Sequence, residues 1–131
     1  MAKSILVSLP GGYVSVSDDT GEARRITQFA IGRDGHHTPI FEGGALSLTK
    51  REKDHISTIY PPPHGGASMP WALFFEPPNS ACAFHQGPTN VESHGCVHLG
   101  PADAEWLFDW AGADPVGLTI EGPYPARHIF P

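Results

Sequence analysis

The chain has 131 residues, enough for one domain (1–131) with its own hydrophobic core and no room for a second module. Glycine (15) and proline (14) exceed ordinary usage, which favours many short strands and tight turns over long helices. A formal net charge of −6, with no basic cluster beyond Arg24-Arg25 and Lys50-Arg51, argues against nucleic acid as a partner, and no apolar stretch approaches the length of a membrane span.

The N-terminus runs straight into a strand pattern, without the basic leader, apolar core and small-residue cleavage site of a secretory signal. Ile5 to Leu9 and Tyr13 to Val16 alternate apolar and polar residues around Pro10-Gly11-Gly12 and read as the first two strands. Asp18-Asp19-Thr20-Gly21 is turn chemistry, so Ala23 to Ile31 is expected to return antiparallel to Tyr13 to Val16. Gly32 to Thr38 reads as a loop and Ala45 to Thr49 as a further strand. Tyr60 to Pro70, rich in proline and glycine, reads as a long irregular loop, of the kind that often forms a lid or a substrate wall. The apolar run Ala72 to Phe75 is a strand, and Ala81 to Phe84 leads to His85. One helix is expected over Pro101 to Ala111. Proline suits its first turn, Asp103 and Glu105 suit its N-terminal end, Gly112 closes it, and Trp106, Leu107, Phe108 and Trp110 supply an apolar side.

Chemistry concentrates in Phe84 to Leu99, FHQGPTNVESHGCVHL. Cys96 ends a tight Ser93-His94-Gly95-Cys96 turn, with His85 upstream. A thiol becomes a good nucleophile when it loses its proton, and an imidazole is the usual group that takes it. Gly95 permits a sharp bend before the sulfur, and the N–H groups of Gly95 and Cys96 are candidates for an oxyanion hole. His85, at a strand end, is the expected base. His94 is a rival base or a supporting donor, and Ser93 is expected to bond within the turn. His98 stands two residues past Cys96 and so shares its face on an extended segment. When protonated it would favour the thiolate, in which case His98→Arg broadens activity toward alkaline pH. His36, His37, His55, His64 and His128 lie in polar, loop-like surroundings and are expected at the surface.

Ser-His-Gly-Cys-Val followed by a polar residue resembles the signature of the L,D-transpeptidase catalytic domain, the YkuD type. The order of elements around it is also similar: the opening strand pair, Phe29 to Gly32 with Thr38-Pro39, Met69-Pro70-Trp71 with the strand that follows, then Asp103 to Trp110 and Val116 to Ile120. The resemblance implies a mainly β fold, an antiparallel sandwich or barrel-like structure with one principal helix near 101–111. It implies a cofactor-free enzyme that cuts peptidoglycan stem tetrapeptides before D-alanine through a Cys96 acyl-enzyme, with His85 as base, and transfers the acyl group to an amine. It also implies acylation by carbapenems, and Gly87 and Trp71 as substrate-side residues beside His98. The partners it implies are stem peptides or muropeptides. The location it implies is the cell envelope or periplasm; the lack of a visible leader leaves cytoplasmic residence or another export route as alternatives. The departures from the pattern are His98 where the family has Arg or Asn, a short loop from Gln86 to Glu92, and Gln86 before Gly87.

Other readings compete. L,D-carboxypeptidase activity differs only in that water takes the acyl group, and an exported wall-targeting toxin would use the same site. A different class would be a structural zinc site of Cys82, His85, His94 and Cys96, although Cys82 and His85 point to opposite faces of one strand and the His94-Gly95-Cys96 spacing is tight for a ligand pair. A Cys82–Cys96 disulfide would silence the nucleophile. A non-catalytic wall-binding module would have no need of the Cys96 and His85 pair.

Overall fold

A computed structural model describes residues 2–58, 63–76 and 82–131. The elements in chain order are β1 (Lys3–Ser8), β2 (Tyr13–Asp18), β3 (Gly21–Ile26), β4 (Phe29–Ala30), β5 (Phe41–Ile56), β6 (Ser68–Glu76), β7 (Ala83–Gln86), β8 (Val97–Leu99), α1 (Pro101–Ala111), β9 (Val116–Glu121) and β10 (Ile129–Phe130). Ten strands join in one sheet, in the order β10-β4-β8-β7-β6-β5-β9-β1-β2-β3. The sheet curls: Phe130, on one end strand, lies close enough to the β1–β2 turn that a Cβ on Gly12 would stand 3.0 Å from its ring. No helix among the described residues is long and apolar enough to cross a membrane.

The expected antiparallel sheet is corrected to a mixed one, because β1 pairs parallel with β9 and β7 pairs parallel with β8. Parallel neighbours need a connection that carries the chain back along the strand before it. Residues 87–96 do this between β7 and β8, while the other parallel pair, β1 and β9, is separated by residues 9–115. The third strand is also shorter than the expected Ala23 to Ile31. β3 stops at Ile26, and Phe29–Ala30 leaves its hairpin partner to pair with β8 and β10 instead. The fourth expected strand extends to Phe41–Ile56, with a register break between Leu46 and Arg51. Of the expected loop from Tyr60 to Pro70, Ser68, Met69 and Pro70 already belong to β6, while residues 59–62 lie outside the described residues, as does Ala81.

Strand alternation builds the core. Ile5 and Val7, Val14 and Val16, Leu118 and Ile120, and Val97 and Leu99 all turn inward, where α1 adds Ala104, Leu107 and Ala111 at helical spacing. Pro101 stands in the first turn of α1 and Asp103 faces its positive end, where it pairs with Arg24 at 3.3 Å. No basic residue sits in the last turn, and cations from elsewhere take that place. Lys3 donates to the Trp110 carbonyl at 2.5 Å and Arg51 to the Gly112 carbonyl at 2.8 Å. A second, smaller cluster of Met69, Ala72, Phe74 and Ala83 forms apart from the main core, and Cys96 packs against it.

Candidate active site

Alternation on two parallel strands sets the site. Phe84 on β7 and Val97 and Leu99 on β8 are buried in the core, so Ala83 and His85, and Cys96 and His98, project to the other face. The register pairs Phe84 with Val97 and His85 with His98, which sets the two imidazoles side by side with ring centroids 4.8 Å apart and planes at 70°. Gly87 makes this packing fit: a Cβ there would lie 2.9 Å from the His98 ring and 3.3 Å from His85 Cε1.

His85 Nδ1 donates to the Gln86 carbonyl at 2.8 Å, which leaves Nε2 with the lone pair. His98 Nδ1 donates in the same way to the Pro88 carbonyl at 2.9 Å. Burial, reinforced by the neighbouring His98, lowers the His85 pKa to about 4. Burial also lowers that of His98, against its hydrogen bond to the Pro88 carbonyl. The Cys96 thiol is pushed up to about 12 by burial, against a hydrogen bond from the Ala83 backbone. The resting pair is therefore a neutral imidazole and a thiol. An imidazolium–thiolate pair would place two charges in a poorly solvated site.

The turn before the sulfur is held from within. Ser93, which is buried, donates its hydroxyl to the Cys96 carbonyl at 2.5 Å and accepts from the Gly95 N–H at 3.1 Å. Gly95 has φ 125°, a region that suits glycine. Its N–H is engaged by Ser93 and so is not free to be one of the two oxyanion donors expected from the sequence. A second glycine meets the turn from outside: a Cβ on Gly32 would stand 1.9 Å from the His36 carbonyl oxygen and 3.0 Å from Gly95 Cα. Gly32 also bridges Ser93, with Arg33 N–H donating to the Ser93 carbonyl and Ser93 N–H to that of Ile31, each at 3.0 Å.

Cys96, His85, His94, His98 and Gly87 share one cavity of about 410 Å³, walled by Ser57, Ala67, Ser68, Met69 and Pro88. A larger hollow of about 560 Å³ beside Lys3, Leu46 and Glu76 is lined by no cysteine or histidine among the described residues. His94 lies at the exposed rim, its ring edge-on to His36 at 5.2 Å, and burial together with Arg33 and His36 lowers its pKa.

Trp71 is not among the residues that line this cavity. It has φ 59°, rare for a tryptophan, and this breaks the alternation of β6. Met69, Ala72 and Phe74 face the cavity side, while Trp71 joins Leu73 and Phe75 toward the core and meets Phe108 of α1 at 5.5 Å. Cys82 packs against the main core, whereas Cys96 packs in the smaller cluster, and both are free thiols. The four residues weighed as zinc ligands do not converge. Among the described residues, the His/Cys/Asp/Glu donor atoms that do converge belong to Asp34, His37 and His128.

That group was missed in the sequence. His128, expected at the surface, is 7% exposed, and His36 and His55 are half-buried. His128 bonds Glu92 through Nδ1, and His37 stacks on Tyr124 with centroids 3.6 Å apart. The Tyr124 hydroxyl donates to the Gly32 carbonyl and accepts from the Thr38 N–H. These residues buttress the cysteine turn from behind. Only Gly32 and Thr38 were marked by any motif.

No curated protein matches the chain. Solved structures resemble it throughout: an L,D-transpeptidase from Stackebrandtia nassauensis (24% identity, TM-score 0.76, 97% of this chain and 58% of that one), one from Mycobacterium smegmatis (23%, 0.70, 89% and 58%), and L,D-transpeptidase 3 from Mycobacterium tuberculosis in complex with a faropenem-derived adduct (23%, 0.67, 90% and 60%). The chain thus spans about three-fifths of the length of these proteins, and at such identities the likeness establishes the fold. The sequence itself matches the L,D-transpeptidase catalytic domain, YkuD, over residues 2–118, and the chain belongs to that family.

Proposed function

We propose that this chain is a single cysteine-dependent L,D-transpeptidase domain acting on peptidoglycan stem tetrapeptides. The observation that carries the reading is that His85, on β7, and Cys96, just before β8, line the same cavity, the one as a neutral imidazole and the other as a neutral thiol. His85 Nε2 takes the Cys96 proton as the sulfur attacks the carbonyl carbon of the amide between an L-centre and D-alanine. The Cys96 N–H receives the oxyanion, because the Gly95 donor is held by Ser93. The tetrahedral intermediate collapses as the C–N bond breaks, and the imidazolium returns its proton to the departing D-alanine amine. An amine from a second stem, deprotonated by His85, then attacks the thioester and frees the thiol.

The test is incubation with disaccharide tetrapeptide, with and without an added D-amino acid, read by mass spectrometry. Cross-linked dimers or exchanged tetrapeptides support transfer. Tripeptide alone, unaffected by the D-amino acid, makes the enzyme a carboxypeptidase. Turnover retained in Cys96→Ala overturns the whole account. Because the mycobacterial neighbour carries a faropenem-derived adduct, a penem or carbapenem mass increase lost in Cys96→Ala is expected as well.

A further inference from the structure

We propose that Asp34, His37 and His128 form a binding site for a divalent transition-metal ion of the zinc type, which ties the C-terminal segment to the cysteine turn. One donor atom from each of the three lies within 4.8 Å of the others. His37 Nε2 stands 2.9 Å from Asp34 Oδ1, and His128 Nε2 stands 3.7 Å from the same oxygen. Donors on a tetrahedron with bonds of about 2.0–2.1 Å stand roughly 3.3–3.4 Å apart, so these two spacings bracket what zinc requires. Two imidazoles and a carboxylate make a donor set suited to zinc, and less suited to calcium or magnesium, which prefer oxygen throughout.

The surroundings add two features found around metal-ligating histidines. Glu92 accepts from His128 Nδ1, which turns the other ring nitrogen toward Asp34; a carboxylate behind a histidine orients metal ligands in this way. Tyr124 stacks on His37 within 7° of parallel and holds that ring in place. The Pro125 carbonyl oxygen lies 3.0 Å from His128 Nε2 and adds a further oxygen beside the place of the ion. His128 is buried while Asp34 and His37 are exposed, so the ion has an open approach.

The position gives the site a consequence. Asp34 and His37 belong to the loop after Gly32, His128 to the segment before β10, and Glu92 precedes Ser93 in the cysteine turn. A bound ion joins all three segments behind the cavity without entering it.

The experiment is calorimetric titration of the chelator-treated 131-residue chain with zinc, together with cobalt absorption spectra and melting curves. Expected are one ion per chain, a cobalt spectrum free of sulfur charge-transfer bands, and a zinc-dependent rise in Tm. Affinity falls at least ten-fold in His37→Ala and in Asp34→Ala, both surface changes that leave the core intact, and is unchanged in Cys82→Ser/Cys96→Ser. The proposal is overturned by no binding, by equal affinity in the two surface variants, or by loss of binding with the cysteines. Because the readout needs no turnover, it stands or falls separately from the proposed reaction.

Discussion

His85 and His98 face each other across neighbouring parallel strands, ring edge to ring face, and each gives its Nδ1 proton to a backbone carbonyl, that of Gln86 at the end of β7 and that of Pro88 in the short loop after it. Both therefore present Nε2 as the basic nitrogen. With the His85 pKa lowered to about 4, the base is competent over the whole neutral range. The acid limb of kcat/KM is expected near pH 4 to 5, well below the ordinary histidine value of 6.5. His98→Asn removes the second cause of the lowering and moves the limb upward. A wild-type limb at 6.5, by initial rates or by NMR titration of His85, contradicts this.

The thiol makes the matching prediction. At pH 8 a pKa of about 12 leaves roughly one Cys96 in ten thousand as thiolate, against about a quarter for a free cysteine. Alkylation of Cys96 by iodoacetamide should run two to three orders of magnitude slower than that of a free thiol and rise tenfold per pH unit through pH 10. His98→Arg places a fixed charge on the same face, lowers the thiol pKa and speeds alkylation. Peptide mapping distinguishes Cys96 from Cys82, and rapid alkylation of wild-type Cys96 at pH 7 contradicts the neutral resting pair.

Much of this was legible in the sequence, and the reasons are local. α1 runs over Pro101–Ala111 as read, because its proline, first-turn acid and following glycine are neighbours in the chain. β1 and β2 showed in alternation, whereas β9 was legible only through the family resemblance. What pairs with what was less legible: Phe29–Ala30 looked like the tail of β3, and only the sheet reveals that it joins β8 and β10. Trp71 seemed a substrate-side residue from its Met-Pro-Trp setting, but its positive φ, which turns the ring toward α1, leaves no mark on local pattern. His128 is buried by Tyr124, Glu92 and Asp34, which approach it from three separate segments, a long-range fact that polar composition does not carry.

Stability should fall between pH 6.5 and 4. His85 binds a proton in the unfolded chain at about 6.5 but in the folded chain only near 4, so its contribution is complete above 6.5 and lost progressively as pH falls to 4. The shift corresponds to roughly 3 kcal/mol, and His98, also lowered by burial, adds in the same direction. Urea midpoints at pH 7.5, 5.5 and 4.5 should decline in wild type and decline less in His85→Gln. A flat wild-type profile across that window would count against the burial of a neutral His85.

The two glycines that face the site separate support of the turn from support of the imidazoles. In Gly32→Ala the new methyl would sit 1.9 Å from the His36 carbonyl oxygen and 2.9 Å from the Thr38 nitrogen, both backbone atoms that cannot rotate away. The strain should exceed the usual 1–3 kcal/mol of overpacking, so this variant is expected to lose much of its folded population and its penem acylation together. In Gly87→Ala the clash, at 2.9 Å, is with the His98 ring, a side chain with freedom to turn. That variant should stay folded, with a Tm drop of only a few degrees. Its defect is expected in the acid limb, because a displaced His98 no longer packs on His85. Melting curves set beside pH–rate profiles test both, and a Gly87→Ala protein as unstable as Gly32→Ala would show that the loop after β7 is rigid rather than held open for two imidazoles.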